Sequence, residues 1–190
     1  MSGEKNAPLN LEIATLASGC FWCTEAVFDI IKGVTSVEPG YTGGNVPNPS
    51  YDQVSSGKTG HTEAVQITYD PSVISYKEIL EIFFATHDPT TLNRQGHDVG
   101  TQYRSAIFFH DETQKEIALE TVEDLGRAGI WDSSIVTQLL PLKIFYKAEE
   151  YHKDYFKRHK DAAYCQQVIT PKIAKLQQRF LSKIKAPSLY

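Results

Sequence analysis

Methionine is almost missing from this chain: Met1 is the only one among 190 residues. Such scarcity suits a protein that works near oxidants, although chance produces it more often. Cysteine is scarce and odd in number, with only Cys20, Cys23 and Cys165. In a reducing compartment these read as catalytic or metal-binding before they read as structural disulfides. No second Cys-x-x-Cys is present, and His61, His87, His97, His110, His152 and His159 are scattered without paired spacing, so no zinc or other metal site is expected. Positive charge is not in excess. A net charge of -4 and a pI near 5.9 remove the global field that would draw the protein to nucleic acid or an anionic membrane. There is no long apolar run, and the polar start from Met1 to Pro8 does not read as a signal peptide, which points to a cytoplasmic location. Repeats and linkers are also missing. At 41% hydrophobic and 22% charged, the chain suits one catalytic domain over residues 1–190, with 1–8 flexible and 161–190 a C-terminal segment carrying Cys165 and a last helix.

What is present centres on Gly19-Cys20-Phe21-Trp22-Cys23. Cys20 follows a glycine where an apolar run ends and a helical pattern begins. Its sulfur is expected at a helix N-terminus, where unpaired N–H groups and the macrodipole favour a thiolate. The i, i+3 spacing puts the Cys20 and Cys23 sulfurs on one side of a turn, and the aromatic pair between them suits an apolar pocket beside a nucleophile. By itself Cys-x-x-Cys fits a dithiol redox pair, half a zinc site, or a coincidence in a buried helix start.

Periodicity places a strand at Leu11–Ala17 and a helix at Phe21–Lys32 ended by Gly33. An extended stretch follows at Val34–Tyr41, then a turn-rich loop from Gly40 to Gly60. Glu63–Tyr69 alternates as a strand, and Ser75 with Glu78 makes a capping box for a helix that stops before Asp88-Pro89. Ser105–His110 is the next strand, and Asp111 with Gln114 caps a helix to about Gly129. This order, strand, helix, strand, strand, helix, strand, predicts an α+β fold with a ferredoxin-like split βαβ core (βαββαβ), long loops and additional C-terminal helices. Ile135–Leu140 and Lys143–Tyr146 are expected as edge strands and Ala148–Lys160 as a helix. A last amphipathic helix is expected to start at Thr170-Pro171 and carry Ile173, Leu176, Phe180 and Ile184 inward. The lysines of that helix read as a solvated face.

Two further segments are dense in polar groups. In Gly57–Glu63 the acid stands at a strand entrance, where a solvated edge residue is the ordinary reading. If the glycine-rich loop folds over the Cys20 helix, Glu63 lies in an aromatic pocket, and desolvation keeps it protonated as a proton donor. Gln95–Ser105, with Asp98 and Tyr103, reads from composition alone as a structured loop.

Five blocks in one order change these readings: Gly19-Cys20-Phe21-Trp22, Gly40-Tyr41-Thr42-Gly43-Gly44, Gly60-His61-Thr62-Glu63-Ala64-Val65, His87-Asp88-Pro89-Thr90-Thr91, and Gln95-Gly96-His97-Asp98 through Gln102-Tyr103-Arg104-Ser105. Together they resemble the A-type peptide methionine sulfoxide reductases, over about Ile13 to Tyr155. The resemblance implies Cys20 as nucleophile and Phe21 and Trp22 as the apolar wall for the sulfoxide methyl group. It implies Glu63, Tyr51 and Tyr103 as the groups that bind and protonate the sulfoxide oxygen, with Asp98 in support; His61 and Tyr41 have weaker claims. It further implies a sulfenic acid on Cys20, specificity for the S epimer in oxidised proteins or free methionine sulfoxide, no bound cofactor, recycling by thioredoxin or another dithiol, and action as a monomer. The oxygen is a very poor leaving group unless protonated, which is why a neutral acid must accompany a reactive cysteine.

The chain departs from the commonest family pattern in having Cys23 where glycine is usual, and it lacks a cysteine-bearing glycine-rich tail. Either Cys23 or Cys165 can form the disulfide with Cys20. The first must close across one helical turn, and the second must arrive on a mobile segment. Cys23 is slightly favoured, a relay through both is open, and Cys165 also fits an ordinary buried residue.

Overall fold

The computed structural model describes residues 10–186; the flexible segment expected over 1–8 lies outside them. In chain order come β1 (Glu12–Ser18), α1 (Phe21–Asp29), β2 (Val34–Thr42), α2 (Tyr51–Ser55), β3 (Thr62–Tyr69) and α3 (Tyr76–Thr86). The short strands β4 (Arg94–Gln95) and β5 (Asp98–Val99) lead to β6 (Ser105–Phe109) and α4 (Glu112–Ala128). Last are β7 (Gln138–Pro141), β8 (Phe145–Lys147), α5 (Tyr155–Arg158) and α6 (Thr170–Arg179). The class is α+β.

Six strands form one sheet in the order β7-β6-β1-β3-β2-β8, antiparallel except for β6 with β7, while β4 and β5 pair as a separate hairpin. The two edge strands are nearly consecutive in sequence, and that forces the shape. Six flat strands span about 24 Å from edge to edge, whereas the chain from Pro141 to Phe145 reaches at most about 14 Å. The sheet must therefore curl into a half-barrel. Period-two alternation supplies the means: one face carries Leu16, Val65 and Ile107 toward the helices, and the other carries the small Ala17, Ala64 and Ala106. On that concave face Phe108, Leu140, Leu142 and Phe145 fill the hollow. On the convex face Val27 and Phe28 of α1, Ile31 just beyond it, and Ile79 and Phe83 of α3 are buried.

Local chemistry accounts for the element ends. Ser75 and Glu78 close a complete capping box on α3, Asp111 accepts the Gln114 N–H at 2.8 Å to start α4, and Gly129 ends it in the left-handed conformation. The turn-rich Gly40–Gly60 stretch is not all loop, because Ser50 and Gln53 form a second capping box that nucleates α2.

The expected helix over Ala148–Lys160 is broken into a 3-10 turn, Glu150–His152, and the four-residue α5, separated by Asp154 at φ +53°. Side chains of other elements, not helical carbonyls, take part of its backbone: Glu25 accepts the Asp154 N–H at 2.9 Å. The last helix differs too. A π-helical turn over Cys165–Ile169 runs straight into α6, where Pro171 brings no N–H to the ladder, and α6 ends at Arg179 short of Ile184. Ile184 instead bridges Ile31.

Candidate active site

The sheet register decides which residues meet. β1 ends at Ser18 opposite Ser105 of β6, and Leu16 pairs with Val65 of β3, so Glu63 lies beside the end of β1 from which Cys20 departs. Tyr41 of β2 pairs with Glu63 on the other side. Gly19 makes the turn at φ +99°, and a Cβ there would stand 2.6 Å from the Gln95 Cβ, so the chain passes against β4 only because that residue has no side chain.

Cys20 is the N-cap of α1, and its carbonyl accepts the Cys23 and Thr24 N–H groups at 3.1 and 3.3 Å. It is 7% exposed, Glu63 is 2% exposed, and Glu63 Oε2 accepts the Phe21 N–H at 3.0 Å. One carboxyl oxygen is thus taken by the first amide of the helix and the other remains to carry a proton. Burial pushes the Glu63 carboxyl up to about 8, against the Phe21 hydrogen bond and helped by the nearby Asp98 and Cys23. Glu63 is therefore mostly neutral at pH 7.

The thiols do not follow the simple expectation of a Cys20 thiolate. Burial first, then Cys23 and Glu63, raise the Cys20 thiol above its usual range, while a hydrogen bond from Cys20 brings Cys23 down to about 7 despite burial. Within the pair Cys20 is thus pushed up and Cys23 brought down. A neutral Glu63 removes its share of the repulsion on Cys20.

All three cysteines are reduced and share one cluster with Ala26 and Ile169, and Cys165 is fully buried in it. Burial and then Cys23 raise the Cys165 thiol, so its sulfur feels Cys23. The segment carrying it is thus already packed at the site. Its neighbour Tyr164 lies 3.6 Å from Cys23 Sγ and 2.8 Å from Asp98 Oδ2 through the same hydroxyl. The hydroxyl donates to Asp98 and stands within hydrogen-bond reach of Cys23 Sγ.

Aromatic rings wall the site. Phe21 lies within 6.5 Å of the rings of Trp22, Tyr41, Tyr51 and His152, and Trp22 stacks on Tyr155 at 3.7 Å and 7°. Trp22 Nε1 donates to His152 Nδ1 at 3.1 Å. Burial raises the Tyr51 and Tyr103 hydroxyls, which stay neutral donors, and Glu63 adds to the shift of each. Glu149 anchors the loop by accepting the Tyr51 N–H at 2.8 Å and the Tyr41 hydroxyl at 2.7 Å. His61 accepts the Gly44 N–H and donates to the Val46 carbonyl, so it and Tyr41 hold loops. Cys20, Phe21, Trp22, Cys23, Tyr51, Glu63, Asp98, Tyr103 and Cys165 thus gather at one end of the sheet. Glu25, Glu149, His152, Tyr155 and Tyr164 were not singled out by sequence reasoning. Only Glu25, a charge inside the apolar Cys23–Ile31 run, and Tyr164, next to a cysteine, carried any signal. Among the described residues no group of three or more His, Cys, Asp or Glu side chains is placed to hold a metal ion, and no helix is long and apolar enough to cross a membrane.

A family model described as peptide methionine sulfoxide reductase matches residues 12–184. The chain belongs to the peptide methionine sulfoxide reductase family. As such it is an oxidoreductase, of the A type. It is 56% identical over 176 residues to a peptide methionine sulfoxide reductase MsrA of Saccharolobus solfataricus, covering 92% of this chain and 98% of the relative. Among solved structures it resembles Mxr1 from Saccharomyces cerevisiae in reduced form, with TM-score 0.74 and 38% identity over 85% of this chain and 92% of that one. It also resembles Mxr1 in complex with Trx2, with TM-score 0.52 and 29% identity over 81% and 91% of the two chains.

Proposed function

We propose that this peptide methionine sulfoxide reductase converts methionine-S-sulfoxide, in oxidised proteins or free, to methionine at the site formed by Cys20 and Glu63. The observation that carries the reading is a neutral, buried carboxyl held on the first amide of the helix that Cys20 caps. Cys20 gives its proton to the Cys23 thiolate and attacks the sulfoxide sulfur. Glu63 protonates the oxygen as the S–O bond breaks, Tyr51 and Tyr103 hydrogen-bond that oxygen, Asp98 supports the site through Tyr164, and Phe21 and Trp22 enclose the methyl group. The oxygen departs as hydroxide while the bond between Cys20 Sγ and the substrate sulfur holds the two together; it then attacks Cys20 Sγ, the S–S bond breaks, its electron pair leaves with methionine, and Cys20 is left as a sulfenic acid.

Cys23, on the same turn and hydrogen-bonded to Cys20, condenses with the sulfenic acid and releases water. Cys165 then attacks the Cys23 sulfur, forming Cys23–Cys165 and returning Cys20 as a thiol. Support for a relay comes from Cys165 lying buried in one cluster with both Cys20 and Cys23. A thioredoxin-type dithiol reduces the final disulfide, a reading supported by the Trx2 complex of the yeast relative. The chain acts as one catalytic domain and a monomer, with no bound cofactor. We read the β6-β1-β3-β2 order, with α1 and α3 as crossovers, as a ferredoxin-like split βαβ core. The test is turnover with a dithiol reductant on the separated epimers: the S epimer is reduced and the R epimer is not, and equal rates would overturn the assignment.

A further inference from the structure

Glu25 is a buried carboxyl that the chemistry above does not use. It sits in α1 one turn beyond Phe21, is 3% exposed, and its Oε1 accepts the Asp154 N–H at 2.9 Å. The Asp154 and Tyr155 amides favour its ionised form and burial opposes them, leaving the carboxyl pushed up to about 7. A charged group inside a hydrophobic helix face is costly unless it satisfies specific partners.

Its partners are informative. Asp154 adopts φ +53°, an unfavourable conformation for a residue with a side chain, and as N-cap of α5 it makes no capping bond of its own. The Glu25 side chain, from a neighbouring element, accepts the N–H of Asp154 itself and so ties the turn to α1. Immediately after this junction, Tyr155 lies flat on Trp22 with ring centroids 3.7 Å apart, and two residues before it His152 accepts the Trp22 indole N–H at 3.1 Å. Phe156 of α5 also packs on the cluster that includes Ala26 of α1, and Lys157 bridges Asp29 and Asp154 at 2.7 and 2.8 Å from a half-exposed position, where an ion pair contributes little.

We propose that Glu25 is a positioning residue for the sulfoxide pocket: by holding the Asp154 amide it keeps Tyr155 and His152 on the indole of Trp22 and so fixes the orientation of the methyl-binding wall. The inference rests on the reading of Trp22 as that wall. It concerns binding of the thioether end of the substrate and not proton transfer, because no reacting group touches Glu25.

The test uses the Trp131→Phe background, which leaves Trp22 as the only tryptophan. Reduction of methionine sulfoxide is followed in single turnovers at varied substrate concentration, alongside Trp22 emission, in Glu25→Ala and Glu25→Gln. Glu25→Ala is expected to raise the half-saturating concentration about ten-fold with the plateau rate within about two-fold, as loss of pre-positioning predicts. Trp22 emission shifts to the red as the stack opens. Glu25→Gln keeps an acceptor oxygen for the Asp154 amide and restores most of both properties. Lys157→Ala, which cuts the exposed tie, stays near the parent in both. An unshifted Trp22 emission in folded Glu25→Ala overturns the proposal. A plateau rate that falls with half-saturation unchanged overturns it equally. A shifted emission with unchanged half-saturation would leave the pinning intact and remove Trp22 from the substrate wall, so the two failures are distinguishable.

Discussion

Glu63 Oε2 accepts the backbone N–H of Phe21 at 3.0 Å, which ties the proposed acid to the residue that directly follows the nucleophile. The bond fixes the distance between acid and thiol through one peptide unit, and it leaves the second carboxyl oxygen free to carry the proton. Removing the acid while keeping the shape should therefore separate the two roles. Glu63→Gln is expected to slow single-turnover methionine formation about a hundred-fold or more at neutral pH, the range for loss of a general acid. The check is rapid-quench measurement of methionine, and an unchanged rate would exclude Glu63 as the donor.

The same groups set a pH profile. The dithiol pair must lose one proton, with Cys23 at about 7, and Glu63 must keep one, with its carboxyl at about 8. The rate should rise through pH 7 and fall above pH 8, giving a narrow bell in a single-turnover pH series. In Glu63→Gln the alkaline limb is lost while the acid limb stays.

Stability follows from the same burial. The folded carboxyl of Glu63, at about 8, lies above its ordinary value of 4.5. Its contribution is therefore fully present below pH 4.5 and is lost as the pH rises through 8. Thermal unfolding of Glu63→Gln against wild type should show the variant gaining relative stability from pH 5 to pH 8.5, by a few kcal/mol at most.

The cysteine relay has a countable consequence. Because Cys165 returns Cys20 to the thiol state, wild type without external reductant should form about two methionines per chain, and Cys165→Ser about one. Quantified methionine with disulfide mapping by mass spectrometry decides this: a Cys20–Cys165 bond in wild type would contradict the order. Tyr164→Phe should raise the Cys23 thiol above about 7, because the hydroxyl helps hold the thiolate down, and this reads out as a shifted pH dependence of alkylation.

Some of this is legible in the sequence alone. The capping residues Ser75 with Glu78 and Asp111 with Gln114 act through bonds of three residues' reach, so sequence spacing reveals them. The placement of Cys20 at the start of α1 is local in the same way. The edge strands fell at opposite edges, but nothing local shows that the three residues from Leu142 to Ile144 force the sheet to curl. The α2 capping box, Ser50 with Gln53, was hidden by turn-forming neighbours. The helix N-terminus that favours a thiolate is visible in sequence, whereas the burial that pushes the Cys20 thiol up is a tertiary property. Glu25, Glu149, His152 and Tyr164 act on partners 66 to 141 residues away, a reach that spacing does not encode.

The most direct measurement is methionine formed from methionine-S-sulfoxide in a single turnover without external reductant, compared between wild type, Cys20→Ser and Cys23→Ser. Wild type and Cys23→Ser should form methionine, because Cys20 alone can take the oxygen, while Cys20→Ser should form none. Methionine from Cys20→Ser at the wild-type level would contradict the assignment of Cys20 as the nucleophile.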